Sequence, residues 1–191
     1  IALTRDSAER IMWKDVLKAI NRKFKLGAHF NEQKLIMTLP NGSVIYLMGA
    51  DARTDEMDKF LGQKYKLVVI DEASKYRIDL HKMIFDVLKP AVADYEGTIA
   101  LIGTASNFVD SYFAKLTMAQ TEGWAIHKWS ALDNQHMKKQ FQAEIDQHVA
   151  RDPKCVDEAW FIQNYMGEWV VDNRALIYRY ADDNLLLELP N

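Results

Sequence analysis

Two adjacent carboxylates, Asp71 and Glu72, directly follow the apolar run Leu67–Ile70. A continuous apolar run of this length is typical of a strand that helices cover on both faces. In open α/β sheets ligands bind at the carboxyl ends of the strands, so this strand would carry both acids to the binding edge. Nucleotide hydrolysis uses such a pair, because one carboxylate holds Mg2+ through water and the other orients or deprotonates the attacking water. The alternative interpretation is a strand that simply ends in two solvated acids.

The elements that must position these acids alternate between strand and helix. Apolar runs predict strands at 67–70, 98–102 and 124–129, and helices fit between them at 80–92 and 110–120. This alternation predicts an α/β fold with a doubly wound, mainly parallel sheet. After Asn134 the pattern predicts two more helices, the second starting at Asp152 and Pro153, and then an extended tail over 168–180.

The first quarter of the chain combines a strand end and a helix. Residues 1–4 predict the end of a buried strand, and Asp6 with Glu9 three residues later predicts a capped helix that runs to about Lys23. Lys14, Lys18 and Arg22 recur every four residues on one side of this helix, either as a solvated face or as a surface that touches phosphate or a partner. The opposite, apolar face is predicted to comprise Ala8, Ile11, Met12, Val16, Ala19 and Ile20.

A hairpin is predicted next. Two apolar runs at 34–39 and 43–48 flank Pro40, Asn41 and Gly42. An Asn-Gly pair between two apolar runs is a strong signal for a tight turn between antiparallel strands. We therefore expect a β-hairpin insertion before the chain enters the strand that carries Asp71.

Composition narrows the class of protein. The chain has 191 residues, of which 49% are hydrophobic and 27% charged, as in one compact domain. It has no apolar stretch of the roughly 18 to 20 residues that cross a membrane and no secretory signal, so we expect a cytoplasmic protein fragment. The net charge of -3 argues against bulk electrostatic binding of nucleic acid but leaves a local patch open. The single Cys155 excludes an internal disulfide, and no two of the five histidines have the spacing of a helical metal pair.

The strand that ends in Asp-Glu-Ala resembles the Walker B motif of P-loop ATPases, and its neighbours resemble one family more narrowly. That family is the terminase large subunit, the ATPase of viral DNA packaging. Residues 39–47 are similar to its "LPNGS" hairpin, and 60–62 to the element before Walker B, with Leu61 where the family commonly has arginine. Further similarities lie at 1–5, 133–134 and 165–169, so the resemblance spans nearly the whole chain.

The resemblance implies a role for each residue at the predicted sheet edge. Asp71 would hold the Mg2+ of Mg-ATP through water, and Glu72 would be the catalytic carboxylate. Gly103 and Thr104 fall where the family has its coupling motif, in which a hydroxyl senses the γ-phosphate. ATP and Mg2+ are therefore the expected cofactors.

Two arginines and a domain boundary complete the expectations from the resemblance. Arg5 is a candidate γ-phosphate contact from within the chain, and Arg53 is a candidate from a neighbouring subunit. Residues 1–167 would form the ATPase domain, and 168–191 would form a linker toward a nuclease domain that follows Asn191.

A phosphate-binding loop needs the pattern G-x-x-x-x-G-K-S/T, and this chain contains no Gly-Lys-Ser or Gly-Lys-Thr. In the family that loop precedes the strand that begins at Ile1, so we expect a truncated RecA-like (ASCE) P-loop NTPase fold that alone does not hydrolyse ATP at a meaningful rate. The resemblance puts the missing strand between 99–103 and 124–129. We therefore expect either a gap there or direct pairing of those two segments.

The resemblance implies a part of an ATP-driven motor that moves viral double-stranded DNA into procapsids. The expected partners are double-stranded DNA, the terminase small subunit, the portal protein and further copies of the chain in a ring, in the host cytoplasm and without a membrane. One alternative is a superfamily 2 helicase or translocase fragment, which would have a second RecA-like domain downstream. The other is a catalytically inactive prophage remnant or interaction module.

Overall fold

The structure is a computed structural model that describes residues 1–50, 60, 62–106, 109–119 and 121–170. The chain divides into two compact units. The first comprises Ile1–Thr104 and Asp110–Ala125, and the second comprises Ala105–Val109 and Ile126–Asn191. Most of the predicted tail lies outside the described residues, so the boundary between 167 and 168 stays a prediction.

Helix α1 opens the first unit and consists of three consecutive segments, Arg5–Ser7, Ala8–Leu17 and Lys18–Phe24. Thr4 caps it from an extended backbone: its hydroxyl accepts from the Ser7 N–H at 3.1 Å, and the Ser7 hydroxyl accepts from the Thr4 N–H at 3.2 Å. The prediction of a cap at Asp6 is therefore wrong, because Asp6 already lies within the first helical turn. The capping-box chemistry is the expected one, two residues earlier.

The buried side of α1 also differs from the prediction. Ala8 and Trp13 are buried, whereas Ile11, Val16 and Ile20 of the predicted apolar face are exposed. The middle segment is wound as a π-helix, in which each N–H bonds five residues back, as the Lys18 N–H does to the Trp13 carbonyl. Ala8 and Trp13 are five residues apart, so the π-helical winding places them on the same side of the helix. In an α-helix, with 3.6 residues per turn, they would not lie on the same side.

An antiparallel sheet of three strands follows, in the order β1 (His29–Asn31), β2 (Ile36–Thr38) and β3 (Val44–Tyr46). The predicted hairpin is confirmed: β2 and β3 pair with Ile36 opposite Tyr46, and the Leu39 N–H closes the turn on the Ser43 carbonyl at 2.8 Å. Strand β1 was not predicted. The sheet packs against α1 through a core of Trp13, Leu35 and Met37.

A small parallel sheet carries the predicted acids. Strand β4 (Leu67–Ile70) pairs in parallel with β5 (Thr98–Leu101). On the other side of β4, the Ile1 backbone nitrogen donates to the Val69 carbonyl at 2.6 Å and the Asp71 N–H donates to the Ile1 carbonyl at 2.9 Å. Ala2 in turn forms a parallel bridge with Gly49. Strand β4 is thus hydrogen-bonded on both sides, and the predicted strands at 67–70 and 98–102 are confirmed, whereas residues 1–4 form an isolated bridge at Ala2 and no strand.

Two helices of the first unit lie where the sequence predicted them. Helix α2 comprises Leu80–Lys82, Met83–Leu88 and Lys89–Ala93, and helix α3 spans Tyr112–Ala119. Both bury apolar side chains, so the α/β architecture is confirmed. Helices do not cover the parallel sheet completely, because Leu67 at the start of β4 and Ile102 just after β5 are exposed.

All regular secondary structure in the described part of the second unit is helical. Helix α4 (Lys138–Arg151) is followed by the 3-10 turn Pro153–Asp157, which the Asp152 carboxylate caps, and by helix α5, formed by Ala159–Phe161 and Ile162–Met166. Its core comprises Ile145, Cys155 and Phe161. Two helices after Asn134 are therefore confirmed, but the second begins at Ala159, because the cap at Asp152 starts only the short 3-10 helix.

The strand predicted at 124–129 is wrong, because these residues have no regular secondary structure. A strand exists only where a neighbour satisfies its backbone groups, and within the described part of the chain β5 forms ladder bonds with β4 alone. Direct pairing of 99–103 with 124–129 is therefore also wrong. None of the helices among the described residues has both the length and the apolar character to span a bilayer.

Candidate active site

Asp71 and Glu72 lie at the carboxyl end of an inner parallel strand. β4 ends at Ile70, and the next residue still bonds to the chain beside the strand, because the Asp71 N–H donates to the Ile1 carbonyl. Asp71 is half-buried and its Oδ1 accepts from the Glu72 N–H at 3.0 Å, whereas Glu72 is exposed. This edge is where open α/β sheets bind ligands.

The backbone turns sharply between the two acids and the next residues. Glu72 has φ 55 and ψ 38, in the left-handed region that residues other than glycine seldom adopt. Its carbonyl accepts from the Lys75 N–H at 2.8 Å, which starts the short 3-10 helix Ala73–Lys75. Strained residues cluster at functional sites, since the surrounding structure must hold them in place. The conformation of Glu72 therefore supports a site at this turn.

Gly103 and Thr104 follow β5 and meet the same turn. The Ala73 N–H donates to the Ile102 carbonyl at 2.8 Å. A Cβ atom at Gly103 would lie 3.2 Å from the backbone nitrogens of both Ala73 and Ser74, so glycine allows this close approach. Thr104 is exposed immediately beyond. The structure thus brings the predicted coupling segment against the residues that follow Glu72.

Two hydroxyl residues beside the acids were missed by the sequence reasoning. The Tyr76 hydroxyl donates to the Ile1 carbonyl at 3.3 Å, and burial, with a smaller contribution from the charge of Asp71, raises the pKa of Tyr76. Ser74 is 2% exposed, and its hydroxyl has no hydrogen-bond partner among the described residues. The only sequence signal for either was its position within five residues of the acids.

A cleft of about 430 Å³ lies in the first unit next to this turn. It adjoins the turn through Ala73, whereas Asp71, Glu72 and Thr104 do not line it. The polar and aromatic side chains along its wall are Tyr76, Asp79, His81, Asp110, Ser111, Tyr112 and Lys115.

Comparison with solved structures relates this architecture to a known one. The chain is similar to the large terminase ATPase domain of Thermus phage P74-26, with a TM-score of 0.55 and 17% identity over 88% of this chain and 74% of that one. The chain has the fold of a large terminase ATPase domain. An arginine-to-alanine variant of the phage domain gives a TM-score of 0.54 at 17% identity, covering 88% of this chain and 75% of that one. No protein-family profile and no curated protein sequence matches the chain.

Of the two predicted arginines, Arg5 lies among the described residues and makes no contact with the acids there. The Arg5 guanidinium donates to the Gln33 carbonyl in the loop between β1 and β2. Arg53 lies outside the described residues. Their roles as γ-phosphate contacts stay predictions.

The acid pair suits a hydrated magnesium ion. Within the described part of the chain no group of three or more His, Cys, Asp or Glu side chains could hold a metal by itself. Mg2+ bound with a nucleotide usually takes one or two carboxylates, keeps several waters and uses the phosphates for the rest. Asp71, with Glu72 next to it at an exposed edge, fits that ligand set.

Proposed function

We propose that this chain is most of the ATPase domain of a terminase large subunit, which drives viral double-stranded DNA into procapsids. The observation that carries the proposal is that β4, an inner parallel strand in a terminase ATPase fold, ends in Asp71 and Glu72. The finer assignment is a doubly wound RecA-like (ASCE) P-loop NTPase whose P-loop strand is not in this sequence.

Each residue at the edge has a proposed task. Bound Mg-ATP supplies the phosphoryl group that is transferred to water. Asp71 would hold a hydrated magnesium ion through its water shell, and Glu72 would orient the attacking water and take its proton. Thr104 contacts the γ-phosphate, and the Gly103 contact with Ala73 and Ser74 links that loop to the acids.

The remaining parts of the proposal extend beyond the described residues. Further copies of the chain form a ring that binds double-stranded DNA, the terminase small subunit and the portal protein in the host cytoplasm. A nuclease domain follows 168–191, and Arg53 reaches the site of a neighbouring copy.

The test uses a polypeptide that carries this chain together with a phosphate-binding loop of the G-x-x-x-x-G-K-S/T pattern. We expect Mg2+-dependent ATP hydrolysis in which Glu72→Gln lowers kcat by about 10² to 10⁴, the usual contribution of a general base. Asp71→Asn should instead raise the Mg2+ concentration needed for half-maximal rate. Phosphate release measures both effects.

Glu122→Gln is the matched control, because Glu122 is exposed in a turn of the first unit and far from β4 in sequence. It should leave kcat unchanged. Full turnover in Glu72→Gln would reject the assignment of Glu72, and absence of Mg2+-dependent turnover in the parent polypeptide would favour the inactive remnant.

A further inference from the structure

Helix α1 is strongly basic in a chain that is acidic as a whole. Residues 5–25 contain seven Lys and Arg against three Asp and Glu, whereas the net charge of the chain is -3. A local surplus of this kind creates a positive potential that bulk net charge conceals. The surface of α1 is therefore a candidate for binding a polyanion.

Three of these cations line one groove. Lys14, Lys18 and Arg22 border a groove of about 330 Å³ that is completed by Asn21 on α1 and by Phe30 and Glu32 at the end of β1. Lys18 and Arg22 lie about one turn apart in the α-helical segment Lys18–Phe24, which is about 6 Å at a rise of about 1.5 Å per residue. A DNA duplex carries one charge per about 1.7 Å of its axis, so its phosphates are dense enough to meet cations at this spacing.

Glu32 holds the middle cation in the free chain. Its Oε1 accepts from Lys18 Nζ and its Oε2 accepts from Trp13 Nε1, each at 2.7 Å. These two hydrogen bonds, with Lys18 the larger effect, lower the pKa of Glu32, which is therefore ionised at neutral pH. Lys14 pairs likewise with Glu9 at 3.2 Å. Exposed pairs of this kind are weak, so a denser array of phosphates can replace the carboxylates.

We propose that this groove binds the phosphate backbone of double-stranded DNA, with Lys14, Lys18 and Arg22 contacting phosphates after Lys18 leaves Glu32. The choice of DNA as the polyanion rests on the proposed function. The assignment of the groove as a binding site rests on its charge, the spacing of its cations and its shape. It is separate from Asp71 and Glu72, which do not line it.

The experiment measures binding of a short fluorescein-labelled duplex to the 191-residue chain by anisotropy over a series of salt concentrations. Lys14→Gln/Lys18→Gln/Arg22→Gln should weaken binding at least tenfold at low salt. The slope of log affinity against log salt should become shallower by about two to three, because each phosphate contact contributes about 0.9. Circular dichroism confirms that the variant is folded.

Two further variants separate charge in the groove from charge in general. Lys138→Gln/Lys139→Gln/Lys154→Gln removes the same charge from exposed positions in the second unit and should leave the slope unchanged. Glu32→Gln keeps an acceptor for Trp13 and frees Lys18, so it should tighten binding and make the slope steeper by up to about one. A purely structural role of Glu32 would give the opposite sign.

The inference is overturned if the wild-type chain does not bind the duplex at low salt, or if the groove variant and the control variant lose affinity equally. Heparin serves as a second polyanion in the same assay. The inference is also overturned if the groove variant loses heparin binding while keeping duplex binding, because the groove would then bind a polyanion other than DNA. Failure of the proposed function has a different signature: DNA binding depends on the groove, yet Glu72→Gln leaves ATP turnover intact in the polypeptide with a phosphate-binding loop.

Discussion

Tyr76 couples the hydrogen bonding of the sheet to the charge of Asp71. Its hydroxyl donates to the Ile1 carbonyl, which also accepts from the Asp71 N–H. Burial and the Asp71 carboxylate both disfavour the phenolate, so the pKa of Tyr76 is raised and the side chain stays a neutral donor. A protonated Tyr76 thus adds no negative charge beside Asp71.

The linkage between this pKa and stability gives a test. The pKa of Tyr76 is higher in the folded than in the unfolded chain, so protonated Tyr76 stabilises the folded state. This contribution to the free energy of unfolding is complete below about pH 9 and declines as the pH rises beyond about 10. The slope is at most about 1.4 kcal/mol per pH unit. Tyr76→Phe should cost about 0.5–1.5 kcal/mol at neutral pH, and its deficit should shrink toward pH 11. Urea unfolding at several pH values measures this.

The control for Tyr76→Phe is Tyr95→Phe, because Tyr95 is exposed on the surface of the same unit. It should give the wild-type pH dependence of the unfolding free energy. A Tyr76→Phe deficit that grows between pH 9 and about pH 11 would contradict the linkage, since the variant lacks the group that titrates.

The positions of Asp71 and Glu72 could be predicted because an apolar run fixes where a buried strand ends. The neighbours Ser74 and Tyr76 could not be assigned to the site in the same way. Their contacts depend on the left-handed backbone of Glu72, which turns the chain back toward the end of β5. Sequence patterns carry little information on such a conformation, because any residue other than glycine is unfavourable there.

Among the helices and strands, too, some features could be predicted from the sequence and others could not. The strands at 67–70 and 98–102 and the hairpin were predicted correctly, because each carries its own local signal and has its partner within the chain. The face of α1 was wrong because the prediction assumed an α-helical period, and the segment 8–17 is wound as a π-helix. The strand at 124–129 was wrong because an apolar run forms a strand only against a neighbour.

Substitution of Trp13 tests which contacts hold α1 against the antiparallel sheet. Trp13 is 0% exposed, packs with Leu35 and Met37, and meets the Phe30 ring edge-on at a centroid distance of 5.1 Å. Trp13→Ala should therefore lower the free energy of unfolding by about 3–5 kcal/mol. Urea unfolding of the full chain measures the change.

Trp129→Ala makes the same chemical change at a residue that is 71% exposed. It should cost no more than about 0.5 kcal/mol, as for most surface substitutions. Equal losses in the two variants would show that α1 is not held by this core. The comparison also bears on the DNA-binding experiment. The groove variants keep Trp13, so they should keep the core that holds α1 against the sheet.

Across the molecule, two kinds of surface serve two different ligands in the proposed motor. The sheet edge presents carboxylates for a magnesium-bound nucleotide, and the groove on α1 presents cations for DNA. Both belong to the first unit, and neither is apparent from the net charge of -3. Segregation of charge within one unit would let an acidic chain bind both proposed polyanions by different chemistry.

The sequence supplies the acids of a hydrolytic site but no Gly-Lys-Ser or Gly-Lys-Thr to cradle the phosphates. Phosphoryl transfer depends on positioning and on neutralising charge at the β- and γ-phosphates, which the acids do not provide. The 191-residue chain alone should therefore release phosphate from Mg-ATP at the background rate, with or without DNA. A malachite-green assay compares it with Glu72→Gln, and equal background rates are expected. Mg2+-dependent turnover that disappears in Glu72→Gln would show instead that other residues of this chain hold the phosphates.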